Sequence, residues 1–124
     1  MDSESGRIEL TVSGDKRLVA GVAGAVNHVA EAAGLKESAR VELVAAVEDA
    51  CRAALDEVTN NGNRVQVILD NPPGKIEIVL EYKPTHSAAE NTRGDLAMRA
   101  RVDSLVREST KNGTRVTLQK KVKR

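Results

Sequence analysis

Four short stretches of this chain place aliphatic residues at every second position, and two long stretches between the first and second of them place such residues three or four apart. A period of two buries one face of a strand and a period near 3.6 buries one stripe of a helix, so the alternation of periods dictates the order of elements. Ile8, Leu10 and Val12 alternate with Arg7, Glu9 and Thr11. Val65, Val67 and Leu69 alternate with Gln66, Ile68 and Asp70, and Asn71-Pro72-Pro73-Gly74 then turns the chain into Ile76, Ile78 and Leu80, which is the pattern of a β-hairpin. Val116 and Leu118, with Lys120 in phase, mark a closing strand after Asn112-Gly113.

The first helical stretch, 15–33, carries Leu18, Val19, Val22, Val26 and Val29, and Gly34 stands where a C-terminal glycine belongs. The second, 36–58, carries Val41, Val44, Val47, Cys51, Ala54, Leu55 and Val58 on one stripe and stops at Thr59-Asn60-Asn61-Gly62-Asn63. Beside that stripe Ala46, Ala50 and Ala53 form a smooth strip, and Gly21, Ala23, Gly24 and Ala25 make the first helix equally small. Glycine inside a helix costs about 1 kcal/mol, so this pattern predicts two helices packed closely through small residues. A third helix is expected at 94–107, burying Met98, Val102, Leu105 and Val106, after an aperiodic loop over 83–93.

The order β-α-α-β-β-α-β predicts an α+β two-layer sandwich with helices on one side of a four-stranded sheet. Counting the first two helices as one unit leaves a ferredoxin-like split βαβ fold as the alternative. A length of 124 residues suits one domain, here 7–124, preceded by a polar tail at 1–6 read as disordered.

Composition narrows the function. Lys and Arg number 19 against 18 Asp and Glu, so no net field draws a polyanion, and Tyr82 is the only aromatic residue, so stacked bases have no platform. Nucleic acid is not the expected partner. The balance hides a gradient: residues 1–62 hold 6 basic and 11 acidic side chains, and residues 63–124 hold 13 and 7. The gradient is read either as internal complementarity or as a bipolar surface for a partner. The single cysteine, Cys51, excludes an internal disulfide, the acidic start lacks the basic and apolar regions of an export signal, and no apolar run is long enough to span a bilayer. The expectation is a cytoplasmic protein with no membrane contact.

No catalytic constellation emerges from the residues themselves. His28 and His86 lack partners at metal-ligand spacing, Cys51 sits on an apolar stripe, and neither GxxxxGK[ST] nor GxGxxG occurs. Glu48 and Asp49, like Asp56 and Glu57, are adjacent on a helix and do not face each other; Glu48 and Arg52 are spaced for an ordinary helical ion pair.

The segment Ala45-Ala46-Val47-Glu48-Asp49-Ala50-Cys51-Arg52-Ala53-Ala54-Leu55, on a helix between a β-α unit and a hairpin, resembles the anti-sigma-factor serine protein kinases, of the histidine-kinase-like (Bergerat) ATPase fold. The resemblance spans nearly the whole chain in element order. It implies a catalytic acid at Asp49, with Ala50 and Cys51 matching its neighbours, and a Mg²⁺-binding Asn four residues later. That position is Ala53, which has no oxygen to offer a hard cation. The adenine-reading Asp-x-Gly falls on Tyr82-Lys83-Pro84, and the phosphate lid falls near Gly94, where one glycine remains and Asp95 repels phosphate. Asp49, Ala53, Tyr82 and Gly94 are therefore the positions of a vestigial pocket.

The resemblance implies a degenerate regulator that binds ATP weakly or not at all, acts by partner switching in transcription regulation, and engages a sigma factor or an anti-sigma antagonist. Its alternative is an active ATP- and Mg²⁺-dependent serine/threonine kinase using Asp49 with Asp56 or Glu57. The expected partner surface gathers Arg93, Arg99, Arg101 and Arg107 on the third helix, with Lys111 and Arg115 beyond it. The edge strand at Ile8 to Val12 offers a homodimer a pairing edge.

Overall fold

A computed structural model describes residues 7–12, 18–57, 64–83, 101–110 and 113–122. Seven elements follow in the order β1 (Ile8–Val12), α1 (Leu18–Ala32), α2 (Glu37–Glu57), β2 (Val65–Asp70), β3 (Lys75–Tyr82), β4 (Ser104–Thr110) and β5 (Gly113–Lys121). The chain is an α+β fold, and its five strands form one antiparallel sheet in the order β1-β2-β3-β5-β4.

The period-two stretches become strands in the phase the sequence predicts. Val65, Val67 and Leu69 of β2, Ile76, Ile78 and Leu80 of β3, and Val116 and Leu118 of β5 are all buried on the face that α1 and α2 cover. Cross-strand pairs Leu10 with Val67, Val67 with Leu80, and Leu80 with Val116 set this register, and a slip of one residue would turn every aliphatic side chain to the other face. Gly74, at φ 81°, supplies the left-handed conformation of the turn between β2 and β3.

Helix α1 ends as its sequence predicts. Gly34 takes φ 90°, its N–H donates to the Glu31 carbonyl at 3.0 Å, and the Leu35 N–H donates to the Ala30 carbonyl at 3.0 Å, which is a Schellman termination with a buried residue behind it. The packing of the two helices differs from the sequence expectation. Gly21 and Gly24 are exposed, and a Cβ added at either would meet nothing within 4 Å, so neither serves close approach. The small strip of α2 is buried in part: Ala46 and Ala50 are buried with Leu43, Val47, Cys51 and Ala54, Ala53 is half-buried, and Val41, expected on the stripe, is 63% exposed.

The third helix is also corrected. Residues 94–100, with Met98 and Gly94, lie outside the described residues, and 104–110 form strand β4 rather than a helix. The period decides the outcome: Leu105 is buried at 4% while its neighbour Val106 is 46% exposed, as alternating faces require and a shared helical face forbids. Thr110 pairs with Gly113, so the Asn112-Gly113 signal closes a β4–β5 hairpin instead of introducing a lone strand. The split βαβ alternative needs β1 inside the sheet with another strand between it and β2. Here β1 lies at the edge, paired directly with β2.

Candidate functional site

Asp49 sits on the middle of α2, half-buried, and its surroundings come from the far end of the chain. The Arg101 guanidinium, three residues before β4, donates from Nη1 to Asp49 Oδ2 at 2.7 Å, and Arg52 Nη1 lies 3.7 Å from Oδ1. Arg52 thus turns to Asp49 at i,i+3 spacing, not to Glu48 as its spacing suggests.

Further bonds fix Arg101 in place. Its carbonyl accepts from Lys120 Nζ at 3.1 Å, and the same ammonium reaches Glu42 Oε1 on α2 at 3.4 Å. Next to it, the Asp103 N–H donates to the Gln119 carbonyl at 2.9 Å and its carboxylate accepts from the Lys121 N–H at 2.6 Å. The result is a clasp of α2, β5 and the segment entering β4. Lys120 makes it possible because it shares the inward phase of Val116 and Leu118, as its sequence spacing indicates; its side chain is 14% exposed.

One oxygen of Asp49 thus accepts a charge-assisted hydrogen bond from Arg101, and the other faces the Arg52 guanidinium. Ala53, one turn further along α2, is half-buried and brings no donor. Among the described residues no group of three or more His, Cys, Asp or Glu could hold a metal ion. Among the described residues, Asp49 and Ala53 do not supply the oxygen ligands that Mg²⁺ with ATP requires. Tyr82, at the end of β3, is buried at 5% on the covered face and packs in the core.

Of the expected arginine surface, the described residues include Arg101, Arg107 and Arg115. Arg93 and Arg99, with Gly94, lie outside the described residues. Arg101 is held in the clasp, Arg107 is half-buried on β4 with its Nε shielded from solvent, and Arg115 on β5 pairs with Glu81 at 2.8 Å.

Cys51 is fully buried, and burial pushes its thiol up to about 12, outweighing the lowering influence of Arg52. It is no nucleophile at neutral pH. His28 is exposed on α1, beside a shallow hollow lined with Ile8, Val29, Ala32 and Asn71. No helix among the described residues is long and apolar enough to cross a membrane.

Sequence reasoning missed two features. The clasp depends on Arg101 and Asp103, which a helical reading of 94–107 dispersed. The other is a largely apolar row on the sheet face turned away from α1 and α2, for which the signal was Ile68, an aliphatic residue standing between Gln66 and Asp70. Compared with known proteins, the chain matches no family model, and no curated protein is recognisably similar to it.

Proposed function

We propose that the chain is a non-catalytic, protein-binding regulator built on the histidine-kinase-like ATPase plan of the anti-sigma-factor serine kinases. The observation that carries this reading is the state of Asp49: the residue that matches the family's catalytic acid is engaged by Arg101 at 2.7 Å and Arg52 at 3.7 Å, with Ala53 where a magnesium-binding oxygen is needed. Phosphoryl transfer depends almost wholly on metal and positioning, so losing the acid and the metal ligand together removes the basis of the reaction. The element order supports the plan: an edge strand leads into two helices on one sheet face, the second bearing the acid, followed by a hairpin. The partner classes this reading names are a sigma factor or an anti-sigma antagonist.

Isothermal titration with ATP and Mg²⁺ tests it. No saturable heat is expected, either for the parent chain or for Ala53→Asn, because Tyr82 and Pro84 still stand where the adenine reader belongs. Micromolar Mg²⁺-dependent binding by the parent would overturn the reading in favour of an active serine/threonine kinase.

A further inference from the structure

The sheet face turned away from α1 and α2 carries a largely apolar row, three aliphatic residues and a threonine, with one residue from each of four neighbouring strands. Ile68 pairs with Val79, Val79 with Thr117, and Thr117 with Val106. Val106 is 46% exposed at the β4 end, and a depression of about 290 Å³ on this face is lined by Ile68, Val79 and Thr117 together with charged residues of both signs, Arg7 and Arg115 among them. Three strand spacings of about 4.8 Å make the row about 14 Å long.

Acidic side chains flank it. Two residues along the strands, about 7 Å away, stand Asp70 and Glu77 on one side and Glu81 and Glu108 on the other, with Glu9 ending the row on β1. Several of these charges are partnered within the face: Arg115 pairs with Glu81 at 2.8 Å, Arg7 with Glu9 at 3.3 Å, and Gln119 Nε2 donates to Glu77 at 2.7 Å. Lys75 and Lys121, paired across β3 and β5, lie one row further out. An antiparallel sheet that simply faces water carries polar residues at its centre, and this one carries three aliphatic residues and a threonine there, with five carboxylates against two arginines immediately around them.

We propose that this face docks an amphipathic helix of a partner protein, with the helix's aliphatic ridge on the apolar row and its lysines or arginines over the flanking carboxylates. The inference rests on the partner-binding reading and names the chemistry of the partner. A ridge at i, i+4, i+7 and i+11 spans about 16 Å, enough to cover the row. A helix about 10 Å across sets its flanking positions above the two acidic rows. A second copy of this chain fits poorly. A twofold axis through Val79 parallel to β3 opposes Glu77 to Glu77 and Glu81 to Glu81, and one across the strands opposes Glu77 to Glu81. Like charges so juxtaposed select against that partner.

The test uses the full chain, isotopically labelled, and a designed 18-residue helical peptide with leucines at the four ridge positions and lysines on both flanks. A control peptide carries glutamates in place of the lysines. The lysine peptide is expected to shift amide resonances of β2 to β5, to weaken with added salt, and to lose about tenfold in affinity on Val106→Lys, which puts a cation where a leucine of the ridge would sit. Glu108→Lys should weaken it by a smaller factor. Both sites are exposed, and unchanged thermal melting shows that the variants fold. Equal binding of the two peptides, or resonance shifts confined to α1 and α2, overturns the proposal. So does a dimer in sedimentation that Val106→Lys dissociates. The nucleotide titration separates this from the broader reading: ATP binding there overturns the non-catalytic assignment, whereas peptide failure without ATP binding overturns the docking face alone.

Discussion

Removing the Arg101 side chain should cost little stability and restore no chemistry, and a double-mutant cycle on Asp49 and Arg101 measures both. The contact is short, at 2.7 Å, but the two side chains remain 40% and 43% exposed, so water screens them. Two unit charges about 4 Å apart attract by about 1 kcal/mol in water and about 4 kcal/mol at an intermediate dielectric, before desolvation and side-chain ordering oppose them. Half-exposed pairs of this kind give couplings of about 0.5–1 kcal/mol, and the Lys120 bond to the Arg101 carbonyl favours the upper end by holding the backbone in place. In urea this corresponds to a midpoint shift of about 0.3–0.5 M between the coupled and uncoupled arms of the cycle Asp49→Ala, Arg101→Ala and the double variant. Repeating the cycle in 1 M salt, where the screening length is about 3 Å, should reduce the coupling by more than half. Arg101→Ala, which leaves Asp49 facing only Arg52 at 3.7 Å, should still show no Mg²⁺–ATP binding. A coupling below about 0.2 kcal/mol would show that the pair does not hold the segment. Nucleotide binding gained on Arg101→Ala would show the guanidinium to be an inhibitor of a working site, contrary to the reasoning here.

The remaining predictions concern the scaffold. Gly21→Ala and Gly24→Ala should each raise stability by about 0.5–1 kcal/mol, since both positions are open and alanine is the better helix former, whereas Gly113→Ala, at φ 135° and against the Tyr82 carbonyl, should lose about 2–4 kcal/mol; chemical denaturation of the three variants reads the contrast. Cys51 gives a pH dependence of definite sign: above about pH 9 the unfolded chain's thiol ionises while the folded one, pushed up to about 12, keeps its proton, so stability should fall as pH rises across that window. Below it the thiol is protonated in both states and contributes no slope. Denaturant midpoints of the parent and Cys51→Ala compared between pH 8 and 11 check this, and an identical decline in the two would refute it.

Much of the fold was legible because burial on a sheet leaves a period of two. Ile8, Leu10 and Val12, the β2–β3 hairpin and the phase of Val116 and Leu118 could be placed from alternation alone, and Gly34 from its position after the last apolar turn. β4 was not legible that way. Val102, Leu105 and Val106 satisfy helical spacing, and a short apolar run fits either period until its surroundings decide it. The deciding signals were local: a β-branched and hydroxyl-rich run at 104–110, then Asn112-Gly113 before a second alternating stretch. On α2 the stripe was displaced because hydrophobicity ranks Val41 above Ala46 and Ala50, while packing prefers the alanines, whose size lets the helix approach its neighbours. The site was half legible. Asp49 and Ala53 could be singled out on the helix, but the residue that occupies Asp49 comes from 52 positions away, across a segment whose period was ambiguous.

Lys120 joins the pattern and the site. A lysine in the inward phase of a strand breaks the binary pattern of that strand, and a buried ammonium costs free energy unless acceptors surround it. Its acceptors are the Glu42 carboxylate and the Arg101 carbonyl, and the Arg101 side chain in turn reaches Asp49. Glu42 and Asp49 stand two turns apart on α2, about 10 Å along its axis, so the path from Glu42 through Lys120 and Arg101 to Asp49 braces that length of helix against β5. The arrangement that satisfies the misplaced lysine positions the backbone from which Arg101 reaches Asp49, so the pattern violation on β5 and the engagement of the carboxylate on α2 belong to one device.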